Sequence, residues 1–349
     1  MSDLVVIDGS TGEGGGQIVR SALTLSMVTG RAFEITNIRA QRSKPGLLKQ
    51  HLTAVQAARE ICGGGVTGAE LGSRQLIFAP GPVQTRSFTF DIGSAGSTTL
   101  VAQTLIPALM TADGASSLVI EGGTHNMAAP PFDYLQQVYL SIINQLGPHI
   151  GCELLSHGFY PAGGGKIRVS IEPSAHLRGL ELMELGGPPI GQVTALVSRL
   201  PEHIGQRECE LIRHRAGWQA KQCTVRNVTD SPGPGNIVMI RLTSPRVTEM
   251  FTGFGKKGVS AEQVAAGAWR EARQFLMDQV PVGEYLCDQL LLPLALAAAQ
   301  GQTSSLLTVP LSQHSQTHID IIQKFLNIRI EIESIGPRQV KVGISFRNH

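Results

Sequence analysis

The sequence predicts an α/β (α+β) fold in which three repeated βαβαββ units form a large domain and a smaller α/β domain splits the third unit. Strand and helix patterns recur in the same order along the chain, and this recurrence predicts the repeated unit. In the third unit a strand is predicted near 178–185, but the helix expected after it comes about a hundred residues later, at Glu284–Ala299. The intervening segment is therefore interpreted as an insertion.

The first two units share one order of elements. The first unit is predicted to contain, in chain order, the strand Leu4–Asp8, the helix Gln17–Val28, the strand Ala32–Ile38, the helix Leu47–Cys62, and strands near 64–71 and 74–79. The second is predicted to contain the strand Ser87–Ile92, the helix 97–111, the strand Ser117–Glu121, the helix 131–146, and strands near 151–159 and 166–172.

The third unit resumes after the insertion. It continues with the helix Glu284–Ala299, the strand 304–309, the helix 314–326, and strands 327–334 and 339–345. The insertion has its own pattern of strand 192–199, helix 202–216, strands 222–228, 236–243 and 248–254, and helix 260–278. Glycine and proline clusters at 186–189 and 231–235 flank and interrupt it. We therefore expect a large domain of residues 1–186 and 281–349 and an inserted domain of residues 187–280.

Composition narrows the class of protein. The chain has 349 residues, 42% of them hydrophobic, and a net charge of +2, so any nucleic-acid site must be a local cluster of arginine and lysine. No apolar run reaches the roughly 18 residues of a spanning helix, and the first residues lack the basic region of a signal peptide. We therefore expect no membrane partner. The five cysteines are scattered without a C-x-x-C pair, which favours a cytoplasmic protein without disulfides or a zinc cluster.

A glycine-rich run at residues 12–17 lies between the first strand and the first helix. Glycines let the backbone approach a phosphate, and a helix N-terminus favours an anion. The run is neither a P-loop nor the dinucleotide-binding G-x-G-x-x-G, and a tight turn alone explains the glycines equally well. Glu13 and Arg20 favour phosphate binding, because a carboxylate beside a phosphate suits Mg²⁺. A surface ion pair is the alternative for these two residues.

Five residues that can carry positive charge fall within thirteen positions at the start of the second predicted helix. They are Arg39, Arg42, Lys44, Lys49 and His51. Arginine binds phosphate well because it offers two parallel N–H donors. A solvated charged loop is the alternative, but this loop leaves the same edge of the predicted sheet as the glycine run. The position favours phosphate binding.

Two histidines, His314 and His318, lie one turn apart at the start of the last predicted helix. This spacing occurs in metal sites, but no third ligand and no H-E-x-x-H glutamate accompanies the pair. A metal role is therefore not favoured, and a lone histidine is more often structural than catalytic.

In the second unit, the turn 91–99 contains small hydroxyl residues. These residues either contact phosphate or ribose, or cap the helix that contains Gln103.

Seven segments taken in order resemble the RNA 3′-terminal phosphate cyclase family. They are IDGSTGEGGGQIVRSALTLS, IRAQRSKPGLLKQHL, DIGSAGSTTLVAQTLIPAL, EGGTHNMAAPPFDYL, HGFYPAGGGKI, GEYLCDQLLLPLALA and HSQTHIDIIQKFL. Each string alone carries little weight, whereas all seven in order are highly specific, and the match covers nearly the whole chain. Members of this family have three βαβαββ repeats and an inserted smaller domain, the layout that the patterns predict independently.

The resemblance implies an ATP-dependent enzyme that converts an RNA 3′-phosphate into a 2′,3′-cyclic phosphate. His314, the first residue of a pattern that matches the family's H-x-x-T-N-I, would attack the α-phosphorus of ATP and release pyrophosphate. The AMP would then move to the RNA 3′-phosphate, and the 2′-hydroxyl would close the cyclic ester and expel AMP. Adenylylation supplies the leaving group that a phosphate monoester lacks, and a neutral imidazole with a pKa of about 6.5 is a competent nucleophile.

The resemblance also assigns roles to other residues. Glu13 corresponds to the family's metal-binding glutamate beside the triphosphate, with Mg²⁺ or Mn²⁺ as the cation. Positions that contact phosphates of RNA or nucleotide correspond to Arg39, Arg42 and Gln50. The remaining residues expected at the nucleotide are Arg20, Gln103, Pro131, Tyr285, Asp288 and Gln289. The expected partner is an RNA with a 3′-phosphate end.

One position departs from the family pattern, because His318 stands where the family usually has asparagine. His318 is therefore a rival nucleophile, although its position does not match that of the family histidine. Three other functions stay open: a catalytically silent relative in ribosome assembly, an enolpyruvyl transferase expected from the repeat architecture alone, and a phosphate- or RNA-binding module without turnover. Covalent labelling of the protein by ATP separates the cyclase from all three.

Overall fold

The strands form four sheets of four strands each in the computed structural model, which describes residues 4–12 and 15–347. The first sheet and its helices comprise β1 (Val5–Asp8), α1 (Gln17–Thr29), β2 (Phe33–Thr36), α2 (Lys49–Cys62), β3 (Gly65–Thr67) and β4 (Leu76–Ala79). The strand order is β1-β2-β4-β3, with β1 and β2 parallel and β4 antiparallel to both of its neighbours. Parallel strands need a crossover connection, and α1 supplies it.

The second sheet has the same pairing directions. Its segment comprises β5 (Ser87–Asp91), α3 (Thr98–Leu109), β6 (Ser116–Gly122), α4 (Phe132–Tyr134), a π-helical turn (Leu135–Tyr139), α5 (Leu140–Ile143), a 3₁₀ turn (Asn144–Leu146), β7 (His149–Ser156) and β8 (Gly165–Glu172). The strand order is β5-β6-β8-β7, with β5 and β6 parallel. Helix α3 begins where Ser97 Oγ accepts a hydrogen bond from the Leu100 N–H at 3.2 Å, which caps its first turn.

A short strand, β9 (Glu181–Leu182), precedes the 187–280 segment, which forms a sheet of its own. That segment comprises β10 (Ile190–Ser198), α6 (His203–Ala216), a 3₁₀ turn (Ala220–Gln222), β11 (Cys223–Val228), β12 (Gly235–Thr243), β13 (Thr248–Phe254) and α7 (Ala261–Asp278). The strand order is β11-β10-β12-β13, and again only one pair, β10 with β11, is parallel. Helices α6 and α7 pack against each other and against this sheet.

The last sheet is completed after the 187–280 segment. Its remaining elements are α8 (Glu284–Ala299), β14 (Ser304–Thr308), α9 (Gln313–Phe325), β15 (Ile328–Gly336) and β16 (Gln339–Phe346). The strand order is β15-β16-β14-β9, and the early strand β9 pairs in parallel with β14. Residues from both sides of the 187–280 segment therefore build one sheet.

Two apolar cores hold these sheets together. The larger core joins α1, α2, α3, α8 and α9 to their sheets, and the part of α8 from residue 290 to residue 298 is buried on every side because its side chains are all apolar. The smaller core lies between the β10–β13 sheet and helices α6 and α7. Met239 and Met250 of the 187–280 segment belong to the larger core, so this segment packs directly on the rest of the protein. Among the described residues, no helix is both long and apolar enough to cross a membrane.

Most predicted helices are confirmed to within two residues at each end, but the helix 131–146 is wrong as one continuous α-helix. The Leu140 N–H bonds to the Leu135 carbonyl, which is the i to i+5 spacing of a π-helical turn, and the segment ends in a 3₁₀ turn. Hydrophobic periodicity does not separate these variants from an α-helix, because the apolar face is nearly the same.

Two predicted strands are shorter than expected. The strand near 64–71 covers only Gly65–Thr67, because Gly68 has a φ of 81° and turns the chain. The strand near 178–185 covers only Glu181–Leu182. There the Arg178 N–H donates to the Leu146 carbonyl of the 3₁₀ turn, and the Leu180 N–H donates to the side-chain hydroxyl of Ser304 on β14 instead of to a backbone carbonyl of that strand.

Candidate active site

A cavity of about 780 Å³ opens where α1, α3, α8 and α9 meet strand β13 and the loop 128–131. This volume lies within the range of sites that hold small molecules, about 300–1,000 Å³. Helix α1 belongs to the first sheet, α3 to the second, and α8 and α9 to the last. The cavity is therefore enclosed by helices that belong to three different sheets and by strand β13 and helix α7 (Ala261–Asp278) of the 187–280 segment.

Asp288 on α8 is the centre of a hydrogen-bond network in the cavity wall. Gln17 Nε2 donates to both carboxylate oxygens of Asp288, at 3.1 and 2.9 Å. His314 Nδ1 lies 3.1 Å from Asp288 Oδ2, and His318 Nδ1 lies 3.5 Å from Oδ1. When the carboxylate accepts the Nδ1 proton of His314, the lone pair of the neutral ring is on Nε2.

The charge of Asp288 is maintained by the two histidines. Burial by itself raises the pKa of Asp288, but the hydrogen bonds with His314 and His318 outweigh burial and hold the pKa well below its ordinary value. The carboxylate is therefore ionised at neutral pH and can stabilise positive charge that develops on His314. The His314 side chain is 37% exposed, so the ring remains accessible from the cavity.

Arg20 contributes a cation to the same wall. It lies one turn after Gln17 on α1 and lines the cavity. Burial lowers the pKa of Arg20 to about 10, and the negative charge of Asp288 opposes this change. The guanidinium is therefore still protonated at pH 7 and offers paired donors for phosphate oxygens.

Another part of the cavity wall offers amide groups and flat apolar surfaces. Gln103 Nε2 donates a hydrogen bond to Gln289 Oε1, which joins α3 to α8. Tyr285 is 58% exposed and lines the cavity together with Pro131. An exposed phenol ring and a proline ring are surfaces on which a base can stack. This part of the wall is chemically suited to a nucleoside.

The loop that carries Pro131 is fixed by buried polar contacts. His125 Nε2 lies 3.0 Å from Asp133 Oδ2, and the Phe132 N–H donates to the Thr124 carbonyl at 2.9 Å. Thr99 Oγ1 donates to the Pro130 carbonyl at 2.6 Å. These contacts hold Pro131 in place against the cavity.

The glycine run packs closely on two helices. Gly12 has a φ of 61°, and a Cβ atom there would collide with Thr317 Oγ1 on α9, one turn from His314. A Cβ at Gly16 would collide with the ring of His51 on α2. Glycine is thus needed at these two positions because the backbone lies close to neighbouring side chains. This close packing accounts for the glycines even if no ligand binds there. Glu13, the residue predicted to bind metal, lies outside the described residues.

The predicted RNA-contacting residues do not line the cavity itself. Arg39 Nη1 donates to the carbonyls of Lys44 and Gly46, at 2.5 and 3.0 Å, and so braces its own loop. Arg42 lies beside the glycine run, because a Cβ at Gly15 would be 3.3 Å from its Nη2 atom. Gln50 Oε1 accepts a hydrogen bond from the Ser97 N–H at 3.3 Å. The structure brings this loop next to the glycine run and the start of α3.

His51 was included among the potentially cationic residues of this loop, and that interpretation is wrong. Its side chain is buried, and Nδ1 accepts a hydrogen bond from the Leu48 N–H at 3.1 Å. Burial, with the nearby charges of Arg20 and Arg39, lowers the pKa of His51 to about 3. His51 is therefore neutral and supports the start of α2 instead of binding phosphate.

Several cavity residues have no counterpart in the sequence prediction. Gln17 could have been found from its spacing, since it precedes Arg20 by three residues and shares its helix face. Tyr134 carries a buried hydroxyl for which the described residues supply no hydrogen-bond partner, and the same holds for Nε2 of His318, a residue that the sequence did single out. Strand β13 contributes residues 250–252 and Phe254, which no sequence pattern marks as part of a site. Within the described ranges, no group of three His, Cys, Asp or Glu side chains is placed to hold a metal ion.

Known proteins resemble the chain over almost its full length. A family model described as RNA 3′-terminal phosphate cyclase matches residues 11–332. A protein of that name from Koribacter versatilis is 50% identical over 346 residues, covering 99% of this chain and 96% of the relative. Proteins of the same name from Salmonella enteritidis and Pseudomonas fluorescens are 46% and 45% identical, and each alignment covers at least 96% of both chains.

A solved structure that aligns with the chain is much less similar in sequence. An EPSP synthase from Acinetobacter baumannii aligns with 99% of this chain and 64% of its own at 11% identity, with a TM-score of 0.29. A likeness of that size supports no conclusion about fold or function. The family match and the identities of 45–50% are of a different order, and from them it follows that the chain belongs to the RNA 3′-terminal phosphate cyclase family.

Proposed function

We propose that this protein uses ATP to convert the 3′-terminal phosphate of an RNA into a 2′,3′-cyclic phosphodiester. The observation that carries the proposal is the 3.1 Å contact between His314 Nδ1 and the buried Asp288 carboxylate, in the wall of a cavity large enough for a nucleotide. This contact directs the lone pair of His314 Nε2 away from Asp288, as a nucleophile requires. The similar proteins are themselves named as cyclases of RNA 3′-phosphates.

In the first step His314 Nε2 attacks the α-phosphorus of ATP. A nitrogen–phosphorus bond forms, the bond from the α-phosphorus to the bridging oxygen breaks, and pyrophosphate leaves. The ring gains positive charge as the bond forms, and the Asp288 carboxylate stabilises that charge through Nδ1. Arg20 is placed to offset negative charge on the phosphates.

The second and third steps transfer the nucleotide and close the ring. An oxygen of the RNA 3′-phosphate attacks the α-phosphorus, the bond to His314 breaks, and an RNA(3′)pp(5′)A end forms. The neighbouring 2′-hydroxyl then attacks the RNA phosphorus, loses its proton and expels AMP. His314 is neutral again after the second step, so each turnover consumes one ATP.

The nucleoside is proposed to bind against the cavity residues of α3, α8 and the loop 128–131. Tyr285 and Pro131 supply surfaces for the base, and the hydrogen-bonded pair of Gln103 and Gln289 supplies amide groups. Arg39, Arg42 and Gln50 are proposed to contact RNA phosphates from the loop beside the glycine run.

A divalent cation, Mg²⁺ or Mn²⁺, is proposed to act with Glu13, which is a hard oxygen donor in a glycine run. Since no cluster of three His, Cys, Asp or Glu side chains is found among the described residues, most of the remaining ligands would be phosphate oxygens and water, as is usual for Mg²⁺. When bound, the cation would offset charge on the phosphates of ATP.

We propose that the chain folds into the two domains that the sequence predicts. Three βαβαββ units would form residues 1–186 and 281–349, and residues 187–280 would be an inserted domain. The identical pairing directions of the β1–β4, β5–β8 and β9/β14–β16 sheets support the repeat. The separate sheet and smaller core of 187–280 support the insertion. The five free thiols agree with a cytoplasmic location, which we also propose.

The proposal is tested with ATP labelled on the α-phosphate. Wild type, His314→Ala and His318→Ala are each mixed with labelled ATP and Mg²⁺ or Mn²⁺, denatured, and examined for label on the protein. Label on wild type and His318→Ala, but not on His314→Ala, is expected. An RNA with a 3′-phosphate should then acquire an end that phosphatase no longer removes.

Two results would count against the proposal. Absence of label on wild type with either cation would favour a catalytically silent or purely RNA-binding protein. Label that persists on His314→Ala and disappears from His318→Ala would move the nucleophile to the second histidine.

A further inference from the structure

A second groove, of about 670 Å³, lies on the 187–280 segment, outside the active site. It is lined by Arg215 at the end of α6 and by Ala266, Trp269, Arg270 and Arg273 of α7. Three of these five residues are arginines, although the whole chain has a net charge of only +2. The groove therefore concentrates positive charge on one face of the segment.

The charge of this groove is offset only in part, because Glu271 interacts electrostatically with Arg270. Arg207 and Arg213, close by on α6, form ion pairs with Glu262 and Glu210. Within the described part of the chain, the three groove arginines form no such ion pair. The acid next in sequence to Arg270, Glu271, lines the active-site cavity instead of the groove. The positive charge that remains is thus available to a ligand.

A rigid aromatic surface lies between the arginines. Trp269 is half-buried and packs edge-on against Trp218, with ring centroids 6.0 Å apart and planes at 85°. Trp218 in turn lies on strand β10 where Gly191 has no side chain, since a Cβ there would collide with the indole. The indole of Trp269 is therefore held in place before any ligand arrives.

Arginines combined with a fixed indole suit one chemical class of ligand. Guanidinium groups bind phosphates through paired N–H donors, and an aromatic face stacks on an unpaired base. A single-stranded nucleic acid presents phosphates and free bases in alternation, whereas an acidic peptide presents carboxylates without a flat partner for the indole. The groove chemistry therefore favours single-stranded RNA.

The position of the groove relates it to the active site. Helix α7 presents Glu271 to the cavity and Arg270 to the groove, so a single helix separates the two. The width of a helix with its side chains is about 10–12 Å. An RNA that leaves the cavity past Glu271 would have to pass around α7 for its upstream nucleotides to reach the groove.

We infer that the Arg215–Trp269–Arg273 groove binds the single-stranded nucleotides upstream of the RNA 3′ end. This inference rests on the proposed function for the identity of the substrate. It gives the 187–280 segment a role in holding RNA, in addition to the contribution of β13 to the cavity wall.

Intrinsic fluorescence provides a direct test. The chain contains two tryptophans, and both are in or against the groove. Full-length protein is titrated with a single-stranded RNA of about twelve nucleotides ending in a 3′-phosphate, and separately with a dinucleotide carrying the same end. We expect the longer RNA to quench the emission and the dinucleotide to leave it unchanged.

The arginines are tested by a triple variant, Arg215→Gln, Arg270→Gln and Arg273→Gln, with a matched control. The control removes three other exposed arginines, Arg59→Gln, Arg86→Gln and Arg329→Gln. Loss of three phosphate contacts should flatten the dependence of log K on log salt by about 2 for the longer RNA. The control should keep the wild-type slope, and Trp269→Ala should weaken binding by about tenfold, the loss of one stacked base.

Three outcomes would overturn the inference: emission that does not respond to the longer RNA, equal salt slopes in the triple variant and the control, or equal quenching by a polyglutamate peptide. The activity readout is separate. We expect the triple variant to cyclise the dinucleotide at the wild-type rate while its KM for the longer RNA rises. A wild type that cyclises neither RNA would contradict the proposed function. The fluorescence titration would still show whether the groove binds single-stranded RNA.

Discussion

Replacing Asp288 with asparagine should strongly slow the transfer of AMP to His314. At 3.1 Å and an effective dielectric of about 20, two unit charges attract by about 5 kcal/mol. If about half a charge has developed on the imidazole in the transition state, the lost stabilisation is about 2–3 kcal/mol, or on the order of 10²-fold in rate. An asparagine amide can also donate to Nδ1 and place the ring proton on Nε2, which extends the loss toward about 10⁴-fold.

The assay is single-turnover labelling of the protein by ATP labelled on the α-phosphate, with and without Asp288→Asn. Asp320→Asn is the matched control, because Asp320 is an exposed aspartate on α9, the helix that carries His314. Circular dichroism confirms that both variants are folded. Labelling of Asp288→Asn at a rate within about threefold of wild type would refute the role given to the carboxylate.

Three further changes test other parts of the molecule. Arg42→Ala should reduce RNA cyclisation by about 10–100-fold through loss of charged hydrogen bonds, with an unchanged circular dichroism spectrum; full activity would remove this loop from the site. His318→Asn should retain labelling within about tenfold, because the His314–Asp288 contact remains; a loss as large as that of Asp288→Asn would show that His318 is indispensable. Glu208→Gln should raise the Tm at pH 8 more than at pH 5, and equal shifts would contradict the assignment. Burial raises the pKa of Glu208 from its ordinary value of 4.5 to about 7. The free energy of unfolding therefore falls as the pH rises between these two values, because the unfolded chain loses the proton more readily. The neutral amide of glutamine removes this loss of stability.

The periodic parts of the fold could be predicted from the sequence. Helices such as α1, α7 and α8 have long apolar stripes, glycines near their ends, or capping residues such as Ser260 that limit their extent. The π-helical turn Leu135–Tyr139 could not be predicted, since it adds one residue to a turn without changing residue types. The shortening of the strand near 178–185 depends on contacts with Ser304, far away in sequence.

The candidate site likewise contains some residues that could be predicted from the sequence and others that could not. Residues in recognisable strings, such as Arg20, Gln103 and His314, were expected, and the structure brings them to one cavity. The charge of His51 was predicted incorrectly because burial, which sets its pKa, is a property of the folded chain. Strand β13 lines the cavity because the 187–280 segment packs on the rest of the protein, and no local sequence pattern predicts such a contact.

The distribution of the cavity wall over three sheets has a consequence for how the protein acquires activity. Gln17 and Asp288 are 271 residues apart in the chain, and their hydrogen bond can form only after the first and last sheets have docked. Contacts of such high sequence separation form slowly, because the intervening chain must first be ordered. In a refolding experiment, helical signal should return before the capacity to accept AMP from ATP. Chemical competence would then report on the assembly of the whole chain and not on any one part of it.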